Sequence, residues 1–302
     1  MIPPLLLAGY AFSAESAPYQ SQLERLSLTV SGQPLAIWSR RPDKPLGIVV
    51  LVHGRTWSAR TAFDFEPRAG SRSLLQSLAT AGFATYAVDL RGYGESPRDT
   101  SGWLAPHRAV EDVEAVLGFA AKRHPELPAP MLLGWSRGSK IAALAATRAN
   151  QRLSGLVLYG FTFDPAAPPL NGPAKGKAPG IANTAESAKS DFVSPGVASP
   201  ELIQDFVDKA LAIDPTRVDV CCDEEFLAIR PEAIRIPTLL IQGARDPDIK
   251  PDVAATFFSR LANDDRRWII VGQGDHAAHL ETTAPEVTTA IVQFARASIS
   301  IR

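Results

Sequence analysis

The sequence predicts an α/β fold in which a largely parallel sheet is wrapped by helices on both faces. Three observations carry that reading. Apolar runs such as Gly47-Ile48-Val49-Val50-Leu51-Val52 are continuous, as strands covered on both faces must be. Such runs alternate with helical segments along most of the chain, the pattern of βαβ units. A serine between two glycines, in Gly134-Trp135-Ser136-Arg137-Gly138, stands where one of these strands meets a helix.

Taken in order, residues 23–30 and 35–39 alternate between apolar and polar and predict two edge strands before the first buried one at 47–52. A helix is predicted over 71–80, ending at Gly82, then a strand over 83–90 and a helix over 108–122. The short apolar run 130–133 leads into the glycine-flanked serine, and 139–148, rich in Ala and Leu, reads as the helix after it. Residues 153–161 form the next strand. Composition then changes: 164–200 carries Pro, Gly, Ala, Ser and Lys with little apolar period. Residues 201–211 recover a helical pattern, with Leu202, Phe206, Val207 and Ala210 on one side. Strands at 236–241 and 267–271 follow. A structureless stretch as long as 164–200 is uncommon in a compact domain unless it is a lid or binding element.

The chemistry begins at Ser136. A sharp strand-to-helix turn tolerates only glycine at its close approaches and leaves the serine hydroxyl exposed beside a helix amino end. A hydroxyl is a poor nucleophile at neutral pH, so it needs a base, and the base needs an orienting carboxylate. In hydrolases with this turn the chain order is Ser, then Asp or Glu, then His. The sequence offers Gly243-Ala244-Arg245-Asp246-Pro247 after the strand at 236–241, and Gly272-Gln273-Gly274-Asp275-His276 after the strand at 267–271. Both lie just past the carboxyl end of a strand, where open α/β sheets place their sites. For the acid, Asp246 competes with Asp248 and with Asp164, which follows the strand at 153–161. For the base, His276 competes with His279. His53 belongs to a His-Gly turn and is expected to shape a loop rather than move protons; His107 and His124 flank a helix and are expected to be surface or satisfied residues.

These motifs resemble the α/β-hydrolase superfamily at five places in the right order: His53-Gly54, Asp89-Leu90-Arg91-Gly92-Tyr93-Gly94-Glu95-Ser96, the serine turn, the 243–247 turn, and Gly274-Asp275-His276 with Leu280-Glu281 behind it. The resemblance spans nearly all of 23–298 except about 162–235. It implies an eight-stranded, mostly parallel sheet with helices on both faces and a small helical cap. It also implies Ser136 as nucleophile, Asp246 as acid and His276 as base, with the backbone N–H groups of Arg55 and Arg137 as an oxyanion hole. Asp275 departs from the family, which usually has a second small residue before the histidine. The expected organisation is a tail at 1–22, a core formed by 23–161 and 236–302, and a cap at 162–235.

Composition bounds the remaining possibilities. At 302 residues the chain accommodates one large domain with a modest insertion. A net charge of −1 gives no reason to expect nucleic acid or an anionic membrane as partner. No apolar run reaches the roughly 18 residues of a membrane span. The two cysteines, Cys221 and Cys222, are adjacent and cannot staple distant segments. Metal-ligand spacings and a phosphate-cradling glycine loop are missing, so neither a metal nor another cofactor is expected. Leu5-Leu6-Leu7-Ala8-Gly9-Tyr10-Ala11-Phe12 resembles the apolar part of a signal peptide, though no Lys or Arg precedes it; the reading leans to export over a cytoplasmic location.

The expected activity is hydrolysis of a small carboxylic ester, of esterase or lysophospholipase character, through an acyl-enzyme. A carbon–carbon bond hydrolase or a small-peptide amidase is the alternative, and a ligand-binding protein that kept the fold without turnover is the alternative of another class. Trp57, Trp135 and Phe161 lie beside the catalytic loops and are candidates for an apolar acyl pocket. The side chains of Arg55 and Arg137 are expected to point outward into solvent; turned inward, they favour a carboxylate-bearing substrate.

Overall fold

The computed structural model describes residues 20–300, so the apolar segment Leu5 to Phe12 and most of the expected tail lie outside it. The strands of the main sheet are β1 (Glu24–Val30), β2 (Gln33–Arg40), β3 (Gly47–Val52), β4 (Phe83–Val88), β5 (Met131–Trp135), β6 (Gly155–Tyr159), β7 (Thr238–Gly243) and β8 (Arg266–Val271). They form one eight-stranded sheet in the order β1-β2-β4-β3-β5-β6-β7-β8. β2 pairs antiparallel with both β1 and β4, and every other pairing is parallel.

The helices are α1 (Ala59–Phe63), α2 (Leu74–Thr80), α3 (Pro106–Arg123), α4 (Arg137–Ala149), α5 (Ala185–Lys189), α6 (Pro200–Ile213), α7 (Pro251–Ser259) and α8 (Ala284–Ser300). Side chains of a strand alternate between the faces of its sheet, and β3 shows why both faces need cover. Ile48, Val50 and Val52 join one cluster with Val113 of α3 and Ile141 of α4. Val49 and Leu51 join the other, with Leu75 of α2 and Val287 and Ile291 of α8. Burying each such side chain contributes roughly 1.5–3 kcal/mol, which fixes the register of the central strands.

The predicted elements recur with shifted ends. The helix expected over 71–80 begins at Leu74, because Ser73 caps it through Oγ (2.9 Å from the Gln76 N–H) while Arg72–Ser73 pairs with Asp64–Phe65 in a two-residue hairpin. α1 was not anticipated; at five residues it is too short to show a period. α3 begins at Pro106, whose fixed φ and missing N–H suit the first helical position.

Residues 162–235, between β6 and β7, hold α5, α6, short 3₁₀ turns and the strand Asp219–Val220, which pairs with Trp103–Leu104. α6 buries the face expected from the sequence: Leu202, Phe206, Val207 and Ala210. Phe206 is fully buried, edge-on to Phe192, Phe65 and Trp57 at centroid distances of 5.3, 5.6 and 6.2 Å. Polar side chains tie this segment to the core loops. Asp214 accepts from the N–H groups of Ser58 (2.9 Å) and Gly94 (2.8 Å). Asp191 accepts from Trp57 Nε1 (2.6 Å), and Ser194 Oγ donates to Asp275 (2.7 Å). Among the described residues no helix is long and apolar enough to cross a membrane.

Candidate active site

Ser136 stands at the end of β5 with φ +55° and ψ −122°, in the left-handed region that costs a non-glycine residue of order 1–3 kcal/mol. The turn is possible because of its glycines. A Cβ at Gly134 would overlap the backbone of Gly138, and one at Gly138 would overlap the carbonyls of Val52 and His53. Removing both side chains lets α4 start directly behind the serine and lets the β3 loop pack beside it.

The loops after β7 and β8 deliver Asp246 and His276. His276 Nδ1–H donates to Asp246 Oδ2 at 2.7 Å, and the Asp246 side chain is fully buried. Its other oxygen, Oδ1, accepts from the Asp248 N–H at 3.0 Å. Burial alone would lower the His276 pKa, but the hydrogen bond and charge of Asp246, helped by Asp248 and Asp191, hold it above the usual 6.5. Ser136 and His276 line one cavity of about 230 Å³ together with Arg55, Trp57, Trp135, Arg137, Lys140 and Asp191, among others. No hydrogen bond joins the Ser136 hydroxyl to the imidazole in this arrangement; in ligand-free sites that contact commonly closes only when substrate binds.

The competing residues are occupied elsewhere. His279 donates from Nε2 to the Ala62 carbonyl (2.8 Å) and accepts at Nδ1 from the Tyr159 hydroxyl (3.1 Å). Complete burial drives its pKa down to about 3, so it stays neutral and structural. Asp164 pairs with Lys250 at 3.0 Å, a partner unrelated to either histidine. His53 donates from Nδ1 to Gly54 O (2.9 Å) and accepts from the Leu90 N–H (3.2 Å), with burial lowering its pKa to about 4. It therefore braces the loop that carries Arg55, helped by the Tyr93 hydroxyl, which donates to the Arg55 carbonyl. His124 is buried against the Tyr86 hydroxyl at 2.7 Å, and His107 sits near Glu225 at the surface.

Among the described residues, the backbone N–H groups of Arg55 and Arg137 have no protein acceptor, while both residues border the Ser136 cavity. Trp57 and Trp135 border it too; Trp135 Nε1 donates to the His276 carbonyl at 2.9 Å. Phe161 does not. It packs on Phe257, 4.6 Å between centroids, and lines an adjoining cavity of about 230 Å³. The two cavities meet at Lys140, Thr162, Leu170 and Asp248, which line both.

The expectation of two outward arginines fails for Arg137. Its side chain is only 7% exposed, pairs with Asp223 at 2.6 Å and stacks over Phe226 at 5.0 Å, because residues 162–235 cover it. Arg55 is exposed but is held by Asn171 Oδ1 at 3.0 Å, and Asn171 in turn donates to Asp223 at 2.6 Å. Asp275, the departure from the family pattern, is fully buried and accepts from Ser194, so it fastens the inserted segment beside His276. Sequence reasoning missed Asp191, Asn171, Ser194 and Asp223, which sit in a segment without periodicity. It also missed Lys140, for which a signal existed: with Arg137 it places two cations in the first turn of α4, where the helix dipole disfavours them and no acid offsets them.

Sheet order and the strained serine turn together define an α/β-hydrolase. More narrowly, the chain belongs to the Hydrolase_4 family, described as serine aminopeptidase, S33, which matches residues 43–283. A monoacylglycerol lipase of Mycolicibacterium smegmatis is 29% identical over 246 residues, covering 76% of this chain and 80% of that protein. A pimeloyl-[acyl-carrier protein] methyl ester esterase of Edwardsiella ictaluri is 38% identical over 86 residues, covering 28% of this chain and 29% of that protein. Among solved structures, an esterase of Thermogutta terrifontis shares the fold with a TM-score of 0.64 at 18% identity, covering 91% of this chain and 99% of the other.

Proposed function

We propose that this hydrolase cleaves small carboxylic esters through an acyl-enzyme, with Ser136 as nucleophile, His276 as base and Asp246 as the orienting acid. The observation that supports it best is the 2.7 Å bond from His276 Nδ1 to buried Asp246, on the rim of the cavity that holds Ser136. That bond leaves Nε2 unprotonated and free to face the serine. His276 takes the Ser136 proton as Oγ attacks the ester carbonyl. It returns the proton to the leaving alcohol, then activates water to release the acid. The Arg55 and Arg137 amides meet the oxyanion of each tetrahedral intermediate, at roughly 3 kcal/mol per donor.

Residues 162–235 act as the cap in this reading. Their contacts with Trp57, Arg55, Arg137 and Asp275 place side chains of this segment against the loop after β3, the start of α4 and the loop after β8. Ester specificity is also what the names of the lipase and esterase relatives suggest.

A second reading, hydrolysis of a small peptide amide, is favoured by the family's description and by Asp191, a carboxylate in the cavity able to meet an ammonium group. One of its two oxygens, Oδ2, already accepts from Trp57 Nε1, which weighs against it. The test is labelling by a fluorophosphonate probe, with p-nitrophenyl esters and amino-acyl p-nitroanilides compared as substrates. Labelling that is lost in Ser136→Ala, with esters turned over and anilides not, is the expected result. A protein that does not label, or that cleaves only the anilides, overturns the proposal.

A further inference from the structure

We infer that the amino end of α4 is a binding site for an oxyanion group, carboxylate or phosphate, carried by the substrate a few bonds from the ester that Ser136 attacks. The inference rests on the esterase reading and deepens it.

Three cationic side chains, Arg55, Arg137 and Lys140, border the Ser136 cavity. Two of them come from the first turn of α4, where the helix amino terminus adds its own positive potential. Such a placement is unfavourable in an empty site and favourable once an anion arrives. One carboxylate, Asp223, serves this group: it pairs with Arg137 directly and reaches Arg55 only through Asn171. Arg137 Nη2 is buried with no hydrogen-bond partner, although the side chain is more than nine-tenths covered. A buried guanidinium N–H left unpaired costs of order 1–3 kcal/mol, which a ligand oxygen would recover.

Lys140 has no carboxylate partner among the described residues; its Nζ rests over the Phe226 ring at 5.1 Å. Burial, then the nearby Arg137, pushes its pKa down to about 8, so it is still mostly charged at neutral pH and is relieved by an incoming negative charge. Asp191 and Asp248 border the cavity and act on His276, and Asp191 is already bonded to Trp57. Asp248 and Asp223 also act on Lys140 through space. Lys140 lies about one helical turn beyond Ser136 and borders the same cavity, so a substrate anion a few bonds from the ester can reach it. Guanidinium and ammonium groups bind carboxylate and phosphate oxygens alike, so the chemistry is common to both.

The test compares kcat/KM for mono-p-nitrophenyl adipate with that for p-nitrophenyl hexanoate, esters of equal chain length with and without the terminal carboxylate. The wild type is expected to favour the adipate, and Lys140→Gln to lower that ratio by about tenfold, with Lys140→Arg restoring most of it. A wild-type ratio at or below one, or a ratio unmoved by Lys140→Gln, overturns the inference. Calorimetric titration of Ser136→Ala with adipate alone and with glycerol 3-phosphate alone decides which oxyanion fits better. Binding of either that weakens about tenfold in Ser136→Ala/Lys140→Gln supports the site, and no binding of either rejects it. If the protein neither labels nor turns over any ester, the esterase reading falls, and the titration alone then decides the anion site.

Discussion

Asp246→Asn gives the sharpest test of the site. The substitution keeps the shape of a fully buried side chain and removes one charge. With a nitrogen–oxygen distance of 2.7 Å, the charge centres of imidazolium and carboxylate lie about 4 Å apart. At an effective dielectric near 20, that separation corresponds to about 4 kcal/mol between unit charges, or roughly a thousandfold in the rate of a step that forms imidazolium. The amide also loses its hold on the Nδ1–H tautomer, which carries the expected loss in kcat to about 10⁴-fold. Asp164→Asn is the matched comparison. It removes a carboxylate whose partner is Lys250 at the surface, so activity is expected to stay within about twofold of wild type. The assay is p-nitrophenyl butyrate turnover, with circular dichroism to establish that both variants are folded. A folded Asp246→Asn enzyme that keeps a tenth of its activity, or an inactive Asp164→Asn enzyme, refutes the assignment.

The same ion pair sets the pH dependence. His276 must be neutral to accept a proton and its pKa lies above 6.5, so kcat/KM is expected to rise with pH through that elevated value. In Asp246→Asn burial is opposed only by the charges of Asp248 and Asp191, and the residual rate should plateau at lower pH; a limb in the wild type below pH 6 contradicts the reading. The pair's contribution to stability has the opposite course: it is fully present below about pH 6.5 and lost as pH rises through the folded pKa. Gly138→Ala places a methyl group against the carbonyls of Val52 and His53, so it should abolish activity and lower the melting temperature; a variant with wild-type kcat sinks the close-approach account of the turn. Phe206→Ala empties a fully buried site among three aromatic rings, costing roughly 3–5 kcal/mol. Limited proteolysis should then cut within residues 162–235 before the core unfolds, and an unchanged cleavage pattern would show that this helix does not hold the segment down.

Much of the fold was legible because its signals are local. The continuous apolar run of β3 announces cover on two faces, and the glycines around Ser136 announce a turn that other residues cannot make. The four positions read as the inner face of 201–211 are the four that α6 buries, since a helix of that length shows its period plainly. The short α1 and the hairpin of Asp64–Phe65 with Arg72–Ser73 left no such trace, because two to five residues cannot display a repeat.

By itself the sequence determined the class of fold and the glycine-flanked serine turn, and it offered the candidate aspartates and histidines that follow in order, each read from a local motif. Tertiary structure alone decided which histidine is free and which is locked between Ala62 and Tyr159, and which aspartate meets the imidazole. It also turned Arg137 inward and fastened Asp275 to Ser194, 81 positions away. Those outcomes rest on burial and hydrogen-bond geometry between segments far apart in sequence. In the low dielectric that such packing creates, a difference of one partner decides whether a buried polar group is satisfied or left open.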